Sequence, residues 1–140
     1  MATPSRLAAI RVIDSVLIVA ASSATLLLAT HPGVVGCPGS AVTGVIDCRA
    51  VVTSTGGHIF GMPLGFWGLV WLALYWLERM ASHGRWERFV AALALIGVAY
   101  AVGTEIRVGH ICAWCSLDQA AILFLSATGW FRSSRRDARE

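Results

Sequence analysis

At 140 residues the chain has room for one domain. Its residues are 56% hydrophobic and 14% charged, against about 45–50% and about 25% in a soluble domain, so a soluble fold of this size could not hide so much apolar surface. The net charge of +3 rests on arginines that segregate by connection, as shown below, and requires no nucleic acid.

The apolar residues come in four blocks, each to be judged against the roughly 20 residues needed to cross a bilayer. The first runs from about Val12 to Thr30, with Asp14 near its start, where a carboxylate can still reach the membrane surface. Arg6 and Arg11 could instead form the basic region of a signal peptide. The run exceeds the usual ~7–15 apolar residues of such a peptide, however, and no clean Ala-x-Ala site follows it. Next comes the Gly- and Pro-rich stretch 31–58, with Cys37 and Cys48. Loops of this length are uncommon unless functional. Its second half, Cys48 to Phe60, mixes apolar and small polar residues, as suits a short interfacial helix capping a bundle.

The second block, 59–77, contains no charge. A short charged connection from Glu78 to Arg88 makes helices two and three antiparallel neighbours. The third block, 89–108, is apolar as far as Thr104 and then carries Glu105 and Arg107, which read as rim residues. A tight turn through His110 delivers the fourth block, 111–131, which opens on Cys112-Ala113-Trp114-Cys115 and carries Asp118. The charged tail, about 132–140, is expected to be disordered.

All the positive charge is arginine. Arg6, Arg11, Arg79, Arg85, Arg88, Arg132, Arg135, Arg136 and Arg139 fall at the termini or in the second connection; Arg49 and Arg107 fall in the other two. Positive residues collect on the cytoplasmic side. The expectation is an all-α membrane protein, a single domain over 1–140, built as a four-transmembrane-helix bundle. Both termini would be cytoplasmic, and a non-cytoplasmic loop and short-helix cap would carry the cysteines.

A CxxC at a helix start has a chemical use. The helix N-terminus stabilises a thiolate, the attacking species in disulfide exchange, and the spacing lets the two sulfurs bridge within one turn. Zinc held by Cys37, Cys48, Cys112 and Cys115 is the rival, although structural zinc sites prefer ligand pairs two to four residues apart and the non-cytoplasmic side is oxidising. The remaining alternative is two permanent disulfides. A bridge within a single turn closes so small a loop that it adds little stability, so a redox role suits the CxxC better.

With those residues placed, the chain resembles the vitamin K epoxide reductase family in its short bacterial form, without a fused thioredoxin-like domain, over about residues 10–130. The marks are the loop cysteine pair, Ser54 six residues after Cys48, the helix entry Phe60-Gly61-Met62-Pro63, and Gly109-His110-Ile111-Cys112-Ala113-Trp114-Cys115. The resemblance implies an integral protein of the bacterial plasma membrane. Cys37 and Cys48 would exchange with a thioredoxin-like disulfide donor protein, Cys48 would pass electrons to Cys112, and Cys115 would reduce a membrane quinone (menaquinone, ubiquinone or vitamin K). No metal is implied. Ser54 would bond a quinone oxygen or order the cap. Leu64 stands where many members have a quinone-binding Asn, and Gln119 where vertebrate members have a quinone-facing Tyr; the loop pair is also more widely spaced than in those enzymes.

Among the other residues, Asp118 lies three after Cys115, on the same helix face. Carboxylates inside a membrane are usually functional, and this one is a candidate proton relay; the alternatives are a pairing with Arg107 or His110, or a place facing an interfacial water pocket. His58 and His110 read as interfacial rather than catalytic. Trp67, Trp71, Trp76, Trp86 and Trp130 read as belt or packing residues, and Trp114 as a quinone contact. The reading is a thiol:quinone oxidoreductase supporting disulfide formation. Its alternatives are a vitamin K quinone or epoxide reductase proper and a non-catalytic scaffold stapled by disulfides.

Overall fold

The computed structural model describes residues 4–31, 33–40, 44–81 and 86–137, with side chains described between 8 and 130. Among these residues run α1 (Pro4–Thr30), α2 (Cys48–Val52), β1 (His58–Ile59), β2 (Met62–Pro63), α3 (Leu64–Ala81), α4 (Glu87–Val108) and α5 (Ala113–Asp137), with a 3-10 turn at Thr55–Gly57. The four long helices pack together: α1 lies against α3 and α5, and α4 against α5 and α3.

Helical spacing explains which side of α1 turns inward. Ile18, Ala21, Ser22, Thr25 and Leu28 recur every three or four residues and are buried, while Val12, Ile13, Val16, Val19 and Leu27 are exposed. Both faces are apolar, so hydrophobic burial against the bundle accounts for only one of them. α4 likewise turns Leu93, Leu95, Ile96 and Ile106 outward. Among the described residues two helices, α1 over Ala8–Thr30 and α4, are long and apolar enough by length and composition to cross a membrane.

Small residues set how closely α3 approaches its neighbours. A Cβ on Gly65 would collide with Thr25 Oγ1 and lie 2.6 Å from the backbone oxygen of Ser22; one on Gly68 would lie 2.6 Å from Ser22 Oγ and 2.7 Å from Asp118 Oδ2. Without a side chain at these two positions, the backbones of α1 and α3 come close, as in tightly packed membrane helices. At one end of the bundle, Arg79 pairs with buried Glu87 at 2.6 Å, and Glu78 Oε1 accepts the Trp86 N–H at 2.8 Å. These contacts tie α3 to α4 on either side of 82–85, which lie outside the described residues. The indole N–H groups of Trp71 and Trp76 find partners in the Val90 carbonyl and the Ser15 hydroxyl.

Several boundaries differ from those expected. Helix α3 starts at Leu64, not 59, because His58–Ile59 and Met62–Pro63 pair antiparallel. The turn between them, Phe60 and Gly61, has φ of 53° and 77°, the two positive values a type I′ hairpin needs. Ile59, Phe60 and Met62 are apolar, so the strand pair is hidden in a hydropathy reading. The cap is not one helix from Cys48 to Phe60: α2 ends at Val52 and a 3-10 turn follows. The tail does not begin unstructured, since α5 continues to Asp137; residues 138–140 lie outside the described residues.

Candidate active site

All four cysteines meet at one end of the bundle. Leu28, Cys48, Val51, Val52, Cys112 and Cys115 form a single buried cluster, with Val35, Cys37, Val108, Ala113 and Trp114 packed around it. Backbone pairing draws the loop to this place. Asp47 N–H donates to the Ile111 carbonyl at 3.1 Å and Ile111 N–H to the Val45 carbonyl at 2.9 Å, so 45–47 runs parallel to the entry of α5. Asp47 then caps α2 by accepting the Ala50 N–H at 3.0 Å. Cys48, the next residue, is thereby buried beside Cys112.

Cys37 and Cys48 form a disulfide, whereas Cys112 and Cys115 are free and buried. Cys112 caps α5: its carbonyl accepts the Ser116 N–H at 2.8 Å, and its Sγ accepts the Cys115 N–H at 3.2 Å. The expected helix N-terminus is therefore in place at the first CxxC sulfur. The loop disulfide takes two of the four thiolates that a zinc site would require.

Directly below Cys115 lies a cavity of about 360 Å³. Its walls are Leu64, Trp67, Trp71 and Leu74 of α3 and Ala94, Gly97, Val98 and Ala101 of α4, and Cys115, Asp118, Gln119 and Ile122 of α5 face it. The small side chains of α4 make the room. Leu74, Leu93, Ile96 and Phe60, also in the lining, are exposed, so the cavity reaches the outside of the bundle between α3 and α4.

The residues singled out in the sequence divide around this cavity. Cys115, Gln119, Asp118 and Leu64 line it. Gln119 Nε2 is buried, and its side chain lies against that of Glu105. Asp118 pairs with neither Arg107 nor His110; its two carboxylate oxygens accept from Ser22 Oγ, each at 3.1 Å. Ser54 and Trp114 are absent from the lining. The Ser54 hydroxyl donates to the Val51 carbonyl at 2.7 Å and accepts the Gly57 N–H at 3.0 Å, ordering the cap. Trp114 Nε1 donates to the Gly36 carbonyl at 2.9 Å, holding the loop over the CxxC. His58 Nδ1 lies 3.1 Å from the Ser54 carbonyl oxygen, also in the cap.

Glu105 requires a correction. It is no rim residue: it is 8% exposed, and its Oε1 accepts the Cys112 N–H at 3.4 Å. Its place in the sequence, an acid ending an apolar helix seven residues before the CxxC, was the available signal.

The model of the vitamin K epoxide reductase family matches residues 6–130. The chain belongs to that family. No curated protein and no solved structure matches it. Membership makes it a membrane-associated, quinone-linked thiol oxidoreductase in general terms, and the disulfide, the free CxxC and the apolar cavity are parts such chemistry needs.

Proposed function

We propose that this vitamin K epoxide reductase family member takes two electrons from an exported thioredoxin-like protein and delivers them to a membrane quinone. One observation carries the reading: a loop disulfide and a free dithiol share one buried cluster, and the deeper thiol, Cys115, faces an apolar cavity. In the proposed sequence the partner's thiol reduces Cys37–Cys48, Cys48 exchanges with Cys112, and Cys115 faces the substrate. A quinone head group suits the lining, since the walls are apolar and Gln119, which lines it, carries an amide that can donate to a ring oxygen. Asp118 is the proton carrier for the second ring oxygen. A stapled scaffold has no use for two unbridged thiols beside a cavity.

All four long helices span the membrane in this reading, with both termini cytoplasmic and the cap outside. Apolar side chains on the outer faces of α1, α3, α4 and α5 support it, among them Leu77, Leu123 and Phe124, and so does the arginine distribution. The exchange step is tested by Cys115→Ser in the full-length protein. In this variant the Cys112 thiolate attacks Cys48 Sγ and displaces Cys37 from the loop disulfide. With no Cys115 to release Cys48 again, a Cys48–Cys112 bond should be trapped, detected by mass spectrometry of unreduced peptides. If the two pairs never cross-link, the relay is wrong.

A further inference from the structure

We infer that Glu105 is the proton partner of Cys112, holding the proton that this sulfur gives up and takes back as it exchanges. The inference rests on the thiol relay proposed above. Two groups share the N-terminus of α5: Cys112 Sγ accepts the Cys115 N–H, and Glu105 Oε1 accepts the Cys112 N–H. Cys112 is 0% exposed and Glu105 8%, so water has no access to the sulfur. Glu105 interacts electrostatically with both thiols. Among the described residues no cation is ion-paired with it.

The surroundings leave few other candidates. Cys48 is bridged to Cys37. Asp118 faces the cavity and is bound to Ser22, and Arg107 is exposed. His110 is two residues away, but its Nδ1 is buried with no hydrogen-bond partner. A thiolate on Cys112 and a carboxylate on Glu105, adjacent in an apolar cluster, disfavour one another. One proton shared between them removes the conflict: Glu105 is protonated while Cys112 carries the charge, and ionised while Cys112 is a thiol.

The exchange steps then balance. Cys48 as thiolate attacks Cys112 Sγ of the oxidised CxxC, the Cys112–Cys115 bond breaks, and Cys115 leaves with the electron pair and takes the proton Cys48 lost. Cys37 as thiolate next attacks Cys48 Sγ and reforms the loop disulfide. Cys112 departs with the electron pair and takes the proton of Glu105, while the proton of Cys37 goes to solvent outside. When Cys112 and Cys115 become a disulfide again, their two electrons reduce the quinone. The Cys112 proton returns to Glu105, the Cys115 proton goes to one ring oxygen, and a proton from solvent, carried by Asp118, goes to the other. Glu105 is restored in each turnover.

The test uses the purified full-length protein in lipid nanodiscs, with dithiothreitol as reductant and a short-chain ubiquinone as acceptor. Glu105→Gln keeps an oxygen for the Cys112 N–H but cannot hold the proton. General acid–base groups contribute on the order of 10²-fold or more. The expected result is a kcat lowered about 100-fold, an unchanged quinone KM, and a Cys48–Cys112 disulfide that accumulates during turnover with Cys115 intact. Glu105→Asp should recover part of the rate, and formate should partly rescue Glu105→Ala. Wild-type kcat in Glu105→Gln would overturn the inference. So would accumulation of the mixed disulfide in His110→Asn instead, or equal losses in all three Glu105 variants with no rescue. If the wild-type protein reduces no quinone and Cys115→Ser traps nothing, it is the relay itself that fails, a result distinct from these.

Discussion

Replacing Gly65 by alanine should unseat α3 from α1, and the size of the effect follows from the contact. The added methyl would meet Thr25 Oγ1 and lie 2.6 Å from the Ser22 carbonyl oxygen. A hydroxyl can rotate away, but a backbone oxygen inside a helix cannot, so the helices must separate. Overpacking of this kind costs about 1–3 kcal/mol, and a loss of ~2 kcal/mol multiplies the unfolded fraction by roughly 30. Gly103→Ala is the control, because a Cβ there meets nothing within 4 Å and replacing a helical glycine gains roughly 0.5–1 kcal/mol. The buried free thiols Cys112 and Cys115 supply the assay. A maleimide dye that fluoresces on reaction should label them only as the bundle opens, so a temperature ramp in detergent reads the midpoint directly. Gly65→Ala should melt well below the parent and Gly103→Ala at or above it. Equal midpoints for the two variants would refute the close-packing argument.

Ser54→Ala should loosen the cap, since it removes two hydrogen bonds; a lost helix cap costs about 0.5–2 kcal/mol. Limited proteolysis should then cut 45–58 faster, with quinone KM unchanged; a raised KM in an intact cap would return Ser54 to the quinone site. Gln119→Leu should raise quinone KM up to about tenfold, the worth of one hydrogen bond, without slowing thiol exchange at Cys37, as steady-state kinetics against each substrate will check. A membrane-impermeant maleimide should label the reduced loop cysteines from outside intact cells; labelling only after the cytoplasmic face is opened would reverse the topology.

What the sequence disclosed depended on whether a signal was local. The runs behind α1 and α4 are long and almost uninterrupted, so their helices were legible to within a few residues, apart from the extra turns at the start of α1. The start of α3 was not, because Ile59, Phe60 and Met62 are as apolar as the helix they precede. Cysteine positions pointed to two pairs at one rim, and both pairs are there. The partner of Asp118 could not be foreseen, since Ser22 stands 96 residues away. Nor could the burial of Glu105. It depends on the chain reversing at Gly109, whose φ of 76° carries α5 back across the end of α4. The cavity depends on Ala94, Gly97 and Ala101 facing α3, and such small residues look the same in sequence whether they close a gap or leave one.

The slot between α3 and α4 has a kinetic consequence. On the proposed function, a quinone entering there would keep its tail among the lipids, so it would arrive by two-dimensional diffusion and its effective concentration would be that of the membrane pool, not of the aqueous phase. Quinol would leave through the same opening, and would compete with fresh quinone for one site. The rate at which the protein drains electrons from its thiol partner would then follow the oxidation state of that pool, slowing when respiration stalls.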